Sequence, residues 1–142
     1  MSLGGGGGGQ QQLQALAQEI EQLEEEKAAI EGEIEALQTQ KVEINEAVEA
    51  IEELETGETV QVPLGGGAYL HAEVGDIDEI TVELGAGYAA ERSREGAADT
   101  LESKKETLDD RIADLREEIA EIDTEMENLE QRAQQMQQQR DE

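Results

Sequence analysis

LQALAQEIEQLEEEKAAIEGEIEALQTQKVEINEAVEAI, residues 13–51, decides the fold of this chain. Apolar residues recur there at alternating steps of three and four: Leu13, Leu16, Ile20, Leu23, Ile30, Ile34, Leu37, Ile44, Val48 and Ile51. That spacing keeps one apolar seam in line over many turns, the mark of a coiled coil. A seam needs a partner, and the far end of the chain supplies one: Leu101, Leu108, Ile112, Leu115, Ile119, Ile122, Met126, Leu129, Ala133 and Met136. The first helix is expected from about Gln10–Leu13 to Thr56-Gly57, where glycine can take a left-handed cap. The second is expected from Gly96–Asp99 to about Gln138. Each would be about 60 Å long at 1.5 Å per residue. Gly32, on the outer face, costs about 1 kcal/mol against alanine.

Two runs of equal length around a short linker favour an antiparallel hairpin. Facing residues of an antiparallel coil have numbers with a constant sum. A sum of 149 pairs Leu13 with Met136, Ile20 with Leu129, Leu23 with Met126, Ile30 with Ile119, Ile34 with Leu115 and Leu37 with Ile112. Both runs then end together. Lys27, Lys41 and Lys105 interrupt the seam opposite Ile122, Leu108 and Ile44. Each can lay its stem along the seam and send its ammonium toward flanking carboxylates; a polar interruption that fixes register is the alternative. On the flanks Glu19–Arg132 and Glu31–Arg116 attract, whereas Glu26–Glu125 and Glu24–Asp123 repel. Exposed pairs contribute only ~0–1 kcal/mol, so the seam sets the register.

Between the helices the period changes to two. Val60, Val62 and Leu64 alternate with Thr59, Gln61 and Pro63; Leu70, Ala72 and Val74 with Tyr69, His71 and Glu73; Ile80, Val82 and Leu84 with Thr81 and Glu83. Gly65-Gly66-Gly67 and Gly85-Ala86-Gly87 supply turns, giving four short strands in two hairpins. The fold class expected is therefore α+β. It divides into a disordered glycine-rich tail (1–9), an N-terminal coil helix (10–56), two β-hairpins (57–92), a C-terminal coil helix (96–138) and a frayed tail (139–142). A segment this small does not stabilise itself without disulfides, metals or oligomerisation, and the chain has no cysteine. Two lone hairpins also leave their edges open. The hairpins are expected to be an assembly module that pairs with other chains through Val60, Val62, Leu64, Leu70, Val74, Ile80, Val82 and Leu84. The coil then projects as an arm whose end carries Leu13, Leu16, Ile20, Leu23, Met126, Leu129 and Met136. Apolar residues at such an end, methionine above all, suit loose gripping of unfolded chains.

The net charge of −27, from 10 basic residues against 37 acidic ones, excludes nucleic acid and anionic membrane as partners. Such acidity strains the compact state unless salt screens it, which points to a salt-rich cytoplasm. No stretch resembles a signal peptide and no apolar run reaches the ~20 residues a membrane helix needs. Gly85-Ala86-Gly87-Tyr88-Ala89-Ala90 matches the spacing of a dinucleotide fingerprint, but no helix begins there. His71 is the only histidine, and no cysteine is present, so a nucleophilic triad is not expected. Asp76, Asp78 and Glu79 lack the calcium-loop pattern and read as a solvated turn. No catalysis, cofactor or metal is expected.

Val62-Pro63-Leu64-Gly65-Gly66-Gly67-Ala68-Tyr69-Leu70-His71-Ala72-Glu73-Val74 and Leu84-Gly85-Ala86-Gly87-Tyr88-Ala89-Ala90-Glu91, flanked by long heptads, resemble the archaeal prefoldin alpha subunits. The match covers about a quarter of the chain, and the acidity fits a halophilic archaeon. The resemblance implies that the long antiparallel coiled-coil hairpin and its two central β-hairpins form a shared β-barrel hub on oligomerisation. It also implies a hexamer of two alpha and four beta subunits. Such a hexamer is an ATP-independent holdase that clasps non-native proteins at the coil tips and delivers them to a group II chaperonin in the cytoplasm. A structural coiled-coil scaffold that binds one folded partner is the alternative.

Overall fold

The computed structural model describes residues 3–141, with side chains from 8 to 139. Helix α1 spans Leu3–Glu53 and helix α2 spans Arg94–Asp141. Between them lie β1 (Thr59–Gly65), β2 (Ala68–Glu73), β3 (Ile80–Gly85) and β4 (Tyr88–Arg92). β1 pairs with β2 and β3 with β4, both antiparallel, in two separate two-stranded sheets. Two compact units can be separated: residues up to Leu37 with those from Arg111 onward, and Gln38–Asp110.

α1 starts earlier than the sequence suggests. Gly4–Gly9, expected as a disordered tail, forms its opening turns, while Met1 and Ser2 lie outside the described residues. A helix already nucleated extends at the cost of propagation alone. Each glycine still costs about 1 kcal/mol against alanine, and no atom lies within 4 Å of a β-carbon built at Gly8. At the other end α2 continues through Asp141, past the expected start of fraying at 139.

In both helices the shielded residues follow the three-and-four step. In the first unit Leu16, Ile112, Leu115, Ile122 and Leu129 are buried, and Leu13, Ile20, Leu23, Ile30, Ile34, Leu37, Ile119, Met126, Ala133 and Met136 are half-buried. In the second, Ile44, Ala47, Val48, Ile51, Leu101 and Leu108 continue the seam half-buried. Leu115 is 1% exposed and is the largest side chain wholly out of solvent among the described residues.

Both hairpins are closed the same way. Gly66 and Gly67, at φ 60° and 83°, and Ala86 and Gly87, at 52° and 81°, form type I′ turns, whose twist matches that of the strands. The register shifts between Pro63 and Gly65 and again between Glu83 and Gly85, leaving Leu64 and Leu84 as bulged residues. The second hairpin thus repeats the first at an offset of 20: Val62 and Val82, Leu64 and Leu84, Gly65 and Gly85, Gly67 and Gly87.

The helix ends meet the hairpins through a small polar cluster. Ser93 caps α2, its hydroxyl accepting from the Gly96 N–H at 3.1 Å. This cap sets the helix start at Arg94 and not at Gly96–Asp99. Gly57 is left-handed (φ 85°), but its N–H donates to the Val74 carbonyl at 2.8 Å and so does not cap α1. Arg94 performs that role: its guanidinium donates to the Glu52 and Leu54 carbonyls at 2.9 and 2.7 Å. A cation at a helix C-terminus also complements the dipole. The Arg94 N–H in turn donates to Asp78 Oδ1 at 3.3 Å, and the Ile77 N–H to Thr56 Oγ1 at 3.0 Å. Arg94→Met keeps the stem but removes both carbonyl contacts; a loss of about 2 kcal/mol is expected, read as a lowered midpoint in thermal unfolding.

Candidate functional site

In the Gln38–Asp110 unit the two hairpins use their apolar faces differently. Val82 of β3 is buried at 5% exposure, and Ala97, near the start of α2, is wholly buried. Lys104 Nζ donates to the Glu83 carbonyl at 3.1 Å, tying β3 to α2. Leu84 lines a cleft of about 590 Å³ with Ile44, Ala47, Leu101 and Leu108. The second hairpin is therefore docked on the helices of its own chain. The first hairpin leaves its face open: the facing residues Val62 and Leu70 are exposed, as is the bulged Leu64 at 65%.

The eight residues expected to join subunits thus separate into classes. Val62, Leu64, Leu70 and Leu84 are exposed; Val60, Val74 and Ile80 are half-buried; Val82 is interior to the protomer. Val82 is thus covered within the single chain, whereas the exposed members of the set are free to meet another one. Two further exposed residues lie outside that set of eight: Tyr69, opposite Pro63, and Tyr88, opposite Gly85, the latter 73% exposed. Their position beside the glycine turns was the available signal. An aromatic ring left this open on a hairpin carries area that an interface can cover.

The seven residues expected at the coil end all sit in the seam. Leu16 and Leu129 are buried and Leu13, Ile20, Leu23, Met126 and Met136 are half-buried, so none is displayed freely. The three seam lysines follow one rule. Lys27 Nζ lies 2.7 Å from Asp123 Oδ1, Lys41 pairs with Asp109, and Lys105 Nζ donates to Asn45 Oδ1 at 3.0 Å. In each case the polar partner directly follows the apolar residue that the sum of 149 places opposite, as snorkelling requires. Lys105 also approaches Glu102 at 3.5 Å. A further ion pair is Arg111–Glu33 at 3.1 Å.

The hydrogen bond from Asp123 raises the Lys27 pKa above its ordinary 10.5; desolvation opposes this, and the Asp123, Glu31 and Glu24 charges add to the rise. A folded pKa above the unfolded one gives stability that is complete below the unfolded value and lost as pH rises through the folded one. The parent is therefore expected to be more stable than Lys27→Met at neutral pH, and that advantage to shrink as the pH rises above about 10.5, read by thermal unfolding followed by circular dichroism across that range.

The fingerprint-like glycines close a hairpin: Gly85–Gly87 join β3 to β4, and the next helix starts only at Arg94. Asp76 Oδ1 accepts from the Asp78 N–H at 3.0 Å, a local turn. His71 is an exposed strand residue opposite Gln61.

Comparison with known proteins agrees with this architecture. The family model described as "Prefoldin subunit" matches residues 23–139. A prefoldin subunit alpha of Haloarcula marismortui is 63% identical over 94 residues, 66% of this chain and 61% of that protein. One of Halorubrum lacusprofundi is 64% identical over 55 residues, 39% of this chain and 36% of the relative. The chain thus aligns with less than two thirds of the length of these relatives. A filamentous PFD from Methanocaldococcus jannaschii, solved by cryo-EM, superimposes with a TM-score of 0.55 at 26% identity, covering 84% of this chain and 95% of that one. No helix among the described residues is long and apolar enough to cross a membrane. With a family match that takes in most of both helices and both hairpins, the chain belongs to the prefoldin subunit family.

Proposed function

We propose that this chain is the alpha-type subunit of an ATP-independent holdase, working in the cytoplasm as part of a hexamer of two alpha and four beta subunits. Its hairpins join the hub and its coil end holds non-native proteins for delivery to a group II chaperonin. The observation that carries the assembly step is the open face of the first hairpin, where the facing Val62 and Leu70 are exposed, as is the bulged Leu64. An uncovered apolar sheet face of this kind is resolved by burial against another chain. Family membership supports the rest.

A second reading, a scaffold that holds one folded partner, draws on the burial of Leu16 and Leu129, which keeps the coil end closed. Light scattering separates the two. The assembled complex is expected to suppress aggregation of several unrelated unfolding proteins without nucleotide. Suppression of none, with the complex intact by native mass, favours the scaffold.

A further inference from the structure

The net acidity of the chain ends before the coil end: Arg132 and Arg140 offset Asp141 and Glu142, the two acids beyond residue 130. The whole net charge of −27 lies in residues 19–130. Residues 1–18 contain no charged side chain, and residues 131–139 contain Arg132 alone. These two stretches face one another: the sum of 149 sets 10–18 against 131–139, and the first acids inward, Glu19 and Glu130, against each other. The Lys27–Asp123 contact anchors that alignment within the same unit. In place of carboxylates both helices carry glutamine. Gln11, Gln14, Gln18, Gln131, Gln135 and Gln138 are all exposed. Around the half-buried Leu13 and Met136 they form an acid-free collar.

We propose that this collar is the docking surface for acidic, extended polypeptides. A basic chain is attracted anywhere along the acidic remainder and needs no special site. At low salt an acidic chain is repelled there, and it meets the least net negative charge at the collar, beside half-buried seam residues. Glutamine amides offer both donors and acceptors to an unfolded backbone and donors to client carboxylates. Unlike lysines, they do so without a charge that salt screens. The inference rests on the holdase reading and adds the charge class of client that the coil end takes.

The test uses the assembled complex at the lowest salt at which circular dichroism shows intact helices. The probes are two labelled, unstructured peptides of equal leucine and serine content, one with glutamate and the other with lysine at the charged positions. Gln11→Glu, Gln18→Glu, Gln131→Glu and Gln138→Glu together change the outermost heptad positions with little change in shape. Fluorescence anisotropy is expected to show about tenfold weaker binding of the acidic peptide, with the basic peptide unchanged or tighter. The corresponding four lysine substitutions are expected to tighten the acidic peptide. The inference is overturned if the glutamate variant binds the acidic peptide as well as the parent does, or if both peptides weaken equally. It is also overturned if native mass shows copies joined end to end through the collar. If the parent complex binds neither peptide, the holdase reading falls together with it.

Discussion

Replacing Val82 with aspartate is expected to unfold the Gln38–Asp110 unit, not merely to separate subunits. Val82 is 5% exposed within a single chain, in a strand held to α2 by Lys104. The substitution forfeits the burial of an aliphatic side chain and places a carboxylate where no partner awaits it; together these cost about 4 kcal/mol or more. That is comparable to the whole stability of many small domains. Leu64→Asp is the contrasting case. Leu64 is bulged and largely exposed, so a carboxylate there remains hydrated in the protomer, and the proposed hub contact is where it would lose that water. Circular dichroism and native mass spectrometry distinguish the outcomes. Val82→Asp is expected to lower the melting temperature and the helical signal, while Leu64→Asp keeps both and loses the oligomer. If Val82→Asp keeps its melting curve and only the mass falls, Val82 belongs to the interface after all.

Leu115→Ala is expected to be the most costly truncation in the seam, at about 3 kcal/mol. At 1% exposure Leu115 has little freedom to collapse around a deleted group, and Ile112, one step before it, is only 4% exposed. The opposing Ile34 and Leu37 are half-buried. Ile34→Ala therefore exposes less lost surface and is expected to cost about half as much. Thermal unfolding of both variants at one fixed salt concentration checks the ratio. Equal losses would mean that the two helices contribute alike, contrary to the deeper burial on α2.

Periodicity made the elements legible. The three-and-four rhythm marks the shielded residues of both helices, and alternation with glycine turns locates all four strands within a residue or two. The residues that bring helix ends and hairpins together were much harder to read. Ser93 is a short cap inside a polar run. Arg94 works through two carbonyls about 40 positions away in sequence, and no local pattern announces such a contact. The division between the hairpins was also hidden, because Val62 and Val82 occupy equivalent places in near-identical turns. Only the docking of β3 on α2 tells them apart. The glycine run misled for a different reason: composition opposes a helix there, but the long heptad next to it supplies the nucleus.

The lysine contacts carry a consequence for misaligned coils. In the native alignment each of the three ammonium groups finds a carboxylate or an amide. Slide one helix by a heptad in one direction and Lys27 meets Arg116; slide it in the other and Lys41 meets Arg116. Either error breaks favourable pairs and sets two cations together. A purely apolar repeat would tolerate such slippage, so Arg116 acts as a sentry that sets a lysine against an arginine in either one-heptad error.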